Sequence, residues 1–197
     1  MSNSSVIWLA SKSPRRAELL TQMGVRFELL LPDDPVAAEA LEAPRPNEAP
    51  DKYVVRVTLA KLAMAREKQQ NQQLEQRPIL VADTTVAIGS HMLGKPENDA
   101  HCAEMMRALS GRRHRVLTAI AVARASQVKH KLQVSRVTFS RISSQQIQDY
   151  VHLGDGMDKA GGYGIQGAAA RFIRHIDGSY SGIMGLPIYE TAQLLKL

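Results

Sequence analysis

Cysteine is nearly absent: Cys102 is the one thiol in 197 residues. One thiol makes neither an internal disulfide nor a cysteine-based zinc cluster, which excludes a disulfide scaffold and points to a reducing, cytoplasmic compartment. Aromatics are scarce as well, with three phenylalanines, five tyrosines and one tryptophan. The interleaving of aromatic and basic side chains used by single-strand nucleic-acid binders is therefore missing. No apolar run approaches the roughly 18 residues of a membrane-spanning helix. Residues 1–5 are polar and uncharged ahead of a short apolar run, unlike the basic flank and longer apolar stretch of a secretory signal. Six histidines occur without HExxH or paired spacing, so a histidine metal site is not indicated.

What is present is ordinary globular usage, 44% hydrophobic and 22% charged. A chain of this length buries roughly 70% of its unfolded surface, enough for a core without staples. Charge is unevenly placed. The net value is +6, yet residues 105–148 hold nine basic residues and no acid, whereas residues 28–51 hold seven acids and only Arg45 as a base. The basic stretch attracts phosphate, on nucleic acid or on a small anionic substrate.

Residues 6–10 read as a short buried strand, and Ser13 with Pro14 opens a helix that ends at Gly24. A second strand spans 26–31. Residues 32–50, with five prolines, read as a long loop of the kind that forms lids. Spacing of Val54, Val55, Leu59, Leu62 and Ala63 predicts a helix over 51–73. Residues 79–82 form a strand stopping at Asp83, and 86–88 with 92–93 a hairpin. Asp99 caps a helix to Leu109; strands follow at 116–125 and 132–139; Ser143 and Gln146 write a capping box for a helix to about 151. A glycine-rich loop (154–167), a strand (172–176) and a closing helix (187–197) complete an α/β fold with a mixed central sheet flanked by helices.

Three segments gather polar groups where the chain turns. Ser11, Ser13, Arg15 and Arg16 stand at a helix N-terminus, whose free N–H groups and partial positive charge suit a phosphate. A capped surface helix with two solvated arginines fits the same pattern. Asp83 ends an apolar strand near Lys95, as a metal ligand or water-orienting base would, or as a plain turn cap. Six glycines within 154–167 let a backbone approach a ligand closely, with Asp158, Lys159 and Gln166 as directional groups; a flexible connector is the alternative.

The strings Leu9-Ala10-Ser11-Lys12-Ser13-Pro14-Arg15-Arg16 with Glu18-Leu19-Leu20, Ala82-Asp83-Thr84 with Gly94-Lys95-Pro96, and Leu109-Ser110-Gly111 with His114 are followed by Asp158-Lys159-Ala160-Gly161, Tyr163-Gly164-Ile165-Gln166-Gly167 and Gly185-Leu186-Pro187. In this order across nearly the whole chain, they resemble the Maf family of nucleoside triphosphate pyrophosphatases. The resemblance implies a single Maf-like domain over residues 1–197, an α/β fold of the Maf/inosine triphosphatase type with a cleft between two lobes, and a homodimer. It implies hydrolysis of a nucleoside triphosphate to the monophosphate and pyrophosphate with a divalent cation, Mg²⁺ or Mn²⁺. Asp83 then matches the general base and a metal ligand, while Ser11, Arg15, Arg16, Lys61, Thr84, Lys95 and Gln166 match positions around the substrate. Arg15, Thr84 and Gln166 look like the subgroup acting on dTTP and UTP, since Gln166 both donates to and accepts from a uracil or thymine edge. House-cleaning of modified nucleotides and septum formation are the cellular roles linked to the family.

The family carries an acidic pair after its second strand, for which Asp33-Asp34-Pro35 is an imperfect counterpart, and Thr58-Leu59-Ala60-Lys61 has threonine where alanine is common. The competing class is a regulatory protein whose basic segment binds nucleic acid or a partner. Against it, the polar groups cluster in the motif loops while the basic residues are spread over strands.

Overall fold

Short runs rich in leucine and β-branched residues become strands, and prolines mark where helices begin. The computed structural model describes residues 6–197, so the polar stretch 1–5 lies outside the described residues. The strands are β1 (Ile7–Leu9), β2 (Phe27–Leu29), β3 (Ile79–Ile88), β4 (His91–Leu93), β5 (Arg113–Arg124), β6 (Gln127–Phe139) and β7 (Ile173–Asp177). The helices are α1 (Pro14–Gln22), α2 (Pro35–Ala40), α3 (Pro50–Asn71), α4 (Asp99–Leu109), α5 (Ser144–His152), α6 (Tyr180–Met184) and α7 (Ile188–Leu195). Proline occupies the first turn of α1, α2 and α3, where its missing N–H forfeits no helical bond. Among the described residues no helix is long and apolar enough to cross a membrane.

The mixed sheet runs β2-β1-β3-β5-β6-β7, with β4 added beside β3. β1 lies parallel to β2 and to the start of β3, whereas β5 runs antiparallel along β3 from Ile79 to Ala87. The opposite edge of β3 is taken by β1 at Ile79 and Leu80 and by β4 at Val86–Ile88. Residues 81–85 are left with a strand partner on one side only. The sequence reading that stops this strand at Asp83 is therefore corrected: one edge pairing lapses there, and the strand continues because β5 carries it to Ala87, with β4 pairing it through Ile88.

Alternation along β3 divides its side chains between two layers. Ile79, Val81 and Ala87 pack toward α3 with Leu62, Ala65 and Val54. Leu80 and Ala82 pack on the other face against Leu19 and Leu20 of α1 and Leu194 and Leu195 of α7. A third cluster joins Val86 to α4, α5 and Phe139.

Further boundaries differ from the sequence reading, and α6 has no counterpart in it. The loop expected over 32–50 contains α2, because the Asp34 carboxylate accepts the N–H groups of Val36 (2.9 Å) and Ala37 (3.0 Å) as an N-cap. The cap of α4 is Asn98, accepting the N–H of His101 at 2.9 Å, rather than Asp99. β5 starts at Arg113 rather than 116 and β6 at Gln127 rather than 132, since pairing runs from Arg113 with Thr138 to Arg124 with Gln127 at the hairpin turn. The capping box at Ser143 and Gln146 forms as read.

Candidate active site

Where the edge of β3 is unpaired, a cleft of about 980 Å³ opens, and Ser11, Arg15, Arg16, Lys61, Asp83, Thr84, Lys95 and Gln166 all line it. The period-two geometry of β3 sends Asp83 and Thr84 to opposite faces of the sheet, and each meets a different helix. Asp83 meets α3, on which Lys61 stands; Thr84 meets Arg16 on α1.

Lys61 Nζ donates to Asp83 Oδ1 at 2.7 Å and to Glu42 Oε1 at 2.6 Å, so one ammonium joins two carboxylates. Asp83 is 7% exposed. Burial pushes its carboxyl above the usual carboxylate range, against the opposing pull of Lys61 and Arg16. The neighbouring Tyr53 hydroxyl is pushed up to about 12, first by burial and then by the Asp83 and Glu42 charges.

Arg16 is held at three points. Its Nε donates to the Gly185 carbonyl (2.9 Å), Nη1 to Ser11 Oγ (3.0 Å) and Nη2 to Thr84 Oγ1 (3.3 Å). The Ser11 hydroxyl also accepts the Ser13 N–H at 3.2 Å. Ser13 occupies the N-cap position but makes no side-chain capping bond. Thr84 Oγ1 lies 2.9 Å from Thr118 Oγ1, which donates to the Gly182 carbonyl at 2.7 Å. β3, β5, α1 and α6 thereby fix the guanidinium in the wall of the cleft.

The glycine-rich segment closes the opposite wall. Asp155 Oδ2 accepts the Ala168 N–H at 3.0 Å, and Lys159 Nζ donates to Asp158 Oδ1 at 2.6 Å and to the Asp155 carbonyl. Arg15 Nη1 reaches Asp158 Oδ2 at 3.6 Å across the mouth. Tyr163 is anchored from beneath by a 2.7 Å hydrogen bond between its hydroxyl and His114 Nε2. Lys95 and Gln166 are exposed on the cleft wall without a hydrogen bond or ion pair among the described residues.

The structure thus joins Ser11, Arg16 and Thr84 in one cluster and Lys61 and Asp83 in another, while Arg15, Lys95 and Gln166 face the same space separately. Glu42 is the member that sequence reading missed. Asp33 and Asp34 line the cleft, yet Asp33 pairs with Lys68 and Asp34 caps α2; the acid that meets Lys61 comes from eight residues further on. It was one acid among seven in residues 28–51, with no local pattern to single it out. Among the described residues no cluster of three or more His, Cys, Asp or Glu side chains suits a metal. Asp83 and Glu42, two carboxylates on the one Lys61 ammonium, are the hard oxygen donors with which the chain would hold a divalent cation beside substrate phosphates.

A family model described as Maf-like protein matches residues 6–197. The chain is 53% identical over 190 residues to the dTTP/UTP pyrophosphatase of Cupriavidus pinatubonensis, covering 96% of this chain and 95% of that one. It is 54% identical over 193 residues to the dTTP/UTP pyrophosphatase of Albidiferax ferrireducens, covering 98% and 96%. Among solved structures it aligns with a nucleoside-triphosphatase / dITP/XTP pyrophosphatase of Mycobacterium abscessus at 16% identity and a TM-score of 0.38, over 70% and 76% of the two chains. With a family model spanning every described residue and relatives above half identity over nearly their full length, this chain belongs to the Maf family.

Proposed function

We propose that the chain hydrolyses dTTP and UTP to the nucleoside monophosphate and pyrophosphate. The observation that carries this reading is Asp83: a buried carboxylate at the one-sided stretch of β3, held by Lys61 and faced by Arg16, at the base of a cleft with cations on its walls. The two relatives named above carry the same activity in their names.

The triphosphate is the feature that such a cleft recognises, because preorganised cations stabilise a highly charged anion at no reorganisation cost. Arg16 is immobilised by three bonds and presents its charge in a fixed direction. Lys61 uses two of its three donors on carboxylates, leaving one for a phosphate oxygen. Lys95 and Arg15 supply charge for the departing pyrophosphate, and the N-terminus of α1 adds its partial positive charge. Water attacks the α-phosphorus, the bond from that phosphorus to the bridging oxygen breaks, and Asp83 accepts the water proton. Mg²⁺ or Mn²⁺, held by Asp83 and Glu42, would neutralise phosphate charge. Gln166, exposed and unengaged on the wall, is the group for a pyrimidine edge. The same reading carries a cytoplasmic location, in keeping with a lone buried thiol, a homodimer, and a single domain.

The test is pyrophosphate release from dTTP, UTP, CTP, GTP, ATP and 7-methyl-GTP with Mg²⁺ or Mn²⁺, for the natural protein and Asp83→Asn. dTTP and UTP should lead, and Asp83→Asn should lower kcat by about 10²–10⁴ with KM within a few-fold, the span of a lost general base. As pH falls, activity should fade at a midpoint above the ordinary carboxylate range, since only the ionised form accepts a proton. Turnover of no nucleotide, or undiminished turnover in the variant, would overturn the reading.

A further inference from the structure

Glu42 reaches Lys61 from a stretch without regular structure, since α2 ends at Ala40 and α3 begins only at Pro50. Turn bonds within 39–48 fold this stretch on itself but do not tie it to the cleft. The tie is made by two side chains of α3. Arg56 Nη1 donates to the Leu41 carbonyl (3.1 Å), the Tyr53 hydroxyl to the Glu42 carbonyl (2.8 Å) and Arg56 Nη2 to the Ala43 carbonyl (3.0 Å). Three consecutive carbonyls, with Glu42 at their centre, are thus bound to one helix. The arginine is itself locked: Glu48 accepts from Nε at 2.6 Å and from Nη2 at 2.7 Å, and the same carboxylate accepts the Arg45 N–H at 3.1 Å. The guanidinium also stacks over the Tyr53 ring, 5.5 Å from its centroid.

We propose that Arg56, Tyr53 and Glu48 form a positioning clamp that seats the Glu42 carboxylate on Lys61 opposite Asp83. None of the three lines the cleft, so their effect on the chemistry passes through Glu42. Lys61 stands five residues beyond Arg56 on the same helix, so α3 holds both the clamp and the ammonium that receives Glu42. The planar fork makes four bonds in fixed directions, two to the Glu48 carboxylate and two to carbonyls, one more than the three donors of an ammonium supply. The inference rests on the reading of Asp83 as the reacting carboxylate only for its consequence on rate, not for the seating of Glu42.

The experiment compares the natural protein with Arg56→Lys, Glu42→Gln and the double variant, and with Tyr53→Phe, which removes one bond and little bulk should Arg56→Lys fail to fold. Amide hydrogen exchange over residues 41–48 should rise about tenfold or more in Arg56→Lys, as for loss of a local anchor. Site-resolved amine acylation of Lys61, read by mass spectrometry, should rise several-fold in Arg56→Lys and Glu42→Gln alike, and no further in the double variant. Turnover of dTTP should lose about tenfold in kcat with KM nearly unchanged, again without further loss in the double variant, as for residues that act as a unit. Tyr53→Phe should move each readout in the same direction by less. Unchanged Lys61 acylation beside raised exchange would mean a staple that does not seat Glu42 and would overturn the proposal, as would losses that multiply in the double variant. If the natural protein turns over no nucleotide, the proposed activity fails, and Lys61 acylation alone decides the clamp.

Discussion

His114 shows how a single buried group writes a pH dependence into the fold. Its ring is 2% exposed, packs edge-on against Phe139 and Tyr163, and leaves Nδ1 without a hydrogen-bond partner among the described residues. Burial lowers its pKa from 6.5 to about 4. The folded protein therefore keeps the ring neutral where the unfolded chain already takes a proton. Stability is full above about pH 6.5 and declines as pH falls toward 4, by about 3 kcal/mol from this residue. Urea denaturation of the natural protein and His114→Gln at pH 7 and pH 4 should show the difference between them changing by that order in favour of the variant. Parallel pH profiles would refute the assignment.

At the scale of elements, the decisive contact is between the short 3-10 turn at Ala160–Gly162 and β3. The Gly161 N–H donates to the Gly94 carbonyl just past β4 at 2.9 Å, and the residue faces Val86 of β3. The residue has φ +73, and an added Cβ would stand 3.0 Å from Cβ, Cγ1 and Cγ2 of Val86. Val86 is buried and β-branched, so it cannot swing aside. Gly161→Ala should destabilise the protein by about 2 kcal/mol through backbone strain and overpacking, lowering the melting temperature by roughly 4–8 °C. Gly24→Ala is the control: its φ of +69 is as restrictive, but nothing stands within 4 Å. Calorimetry should separate the two, with Gly161→Ala losing more; equal losses would remove packing from the explanation. The same turn explains why Tyr150 and Cys102 lie beneath it, both reaching the Gly162 carbonyl.

For the whole molecule, the cleft draws on both ends of the chain: Ser11 and Arg16 from the start, Asp83 from the central strand, Gln166 and the Gly185 carbonyl from the end. A nucleotide bound there cross-links segments that are independent in the unfolded chain, and so stabilises the folded state by mass action. A UTP analogue with a non-hydrolysable α,β-imido bridge, at about 100 times its dissociation constant, should add about 2.7 kcal/mol and raise the melting temperature by roughly 5–10 °C. Thermal unfolding with and without the analogue checks this. No shift at any concentration would mean that the cleft does not take a nucleoside triphosphate.

Much of this is legible in the sequence. The order of the strands and of the longer helices, the helix start at Pro14, the capping box at Ser143 and the motif strings around Ser11, Asp83 and Gln166 are local, and local signals depend on propensity, periodicity and spacing that a chain displays without folding. The division of labour between Asp83 and Thr84 is not legible there, because opposite-facing side chains require the strand to run on past Asp83. What the tertiary structure alone decided is non-local. β3 runs past Asp83 because β5 supplies an edge from more than thirty residues away. Glu42 becomes the partner of Lys61, in place of Asp33 or Asp34, because Arg56 and Tyr53 draw an irregular stretch onto α3. Both outcomes depend on which distant backbone groups find donors and acceptors, and that choice is made only when the sheet and its helices pack.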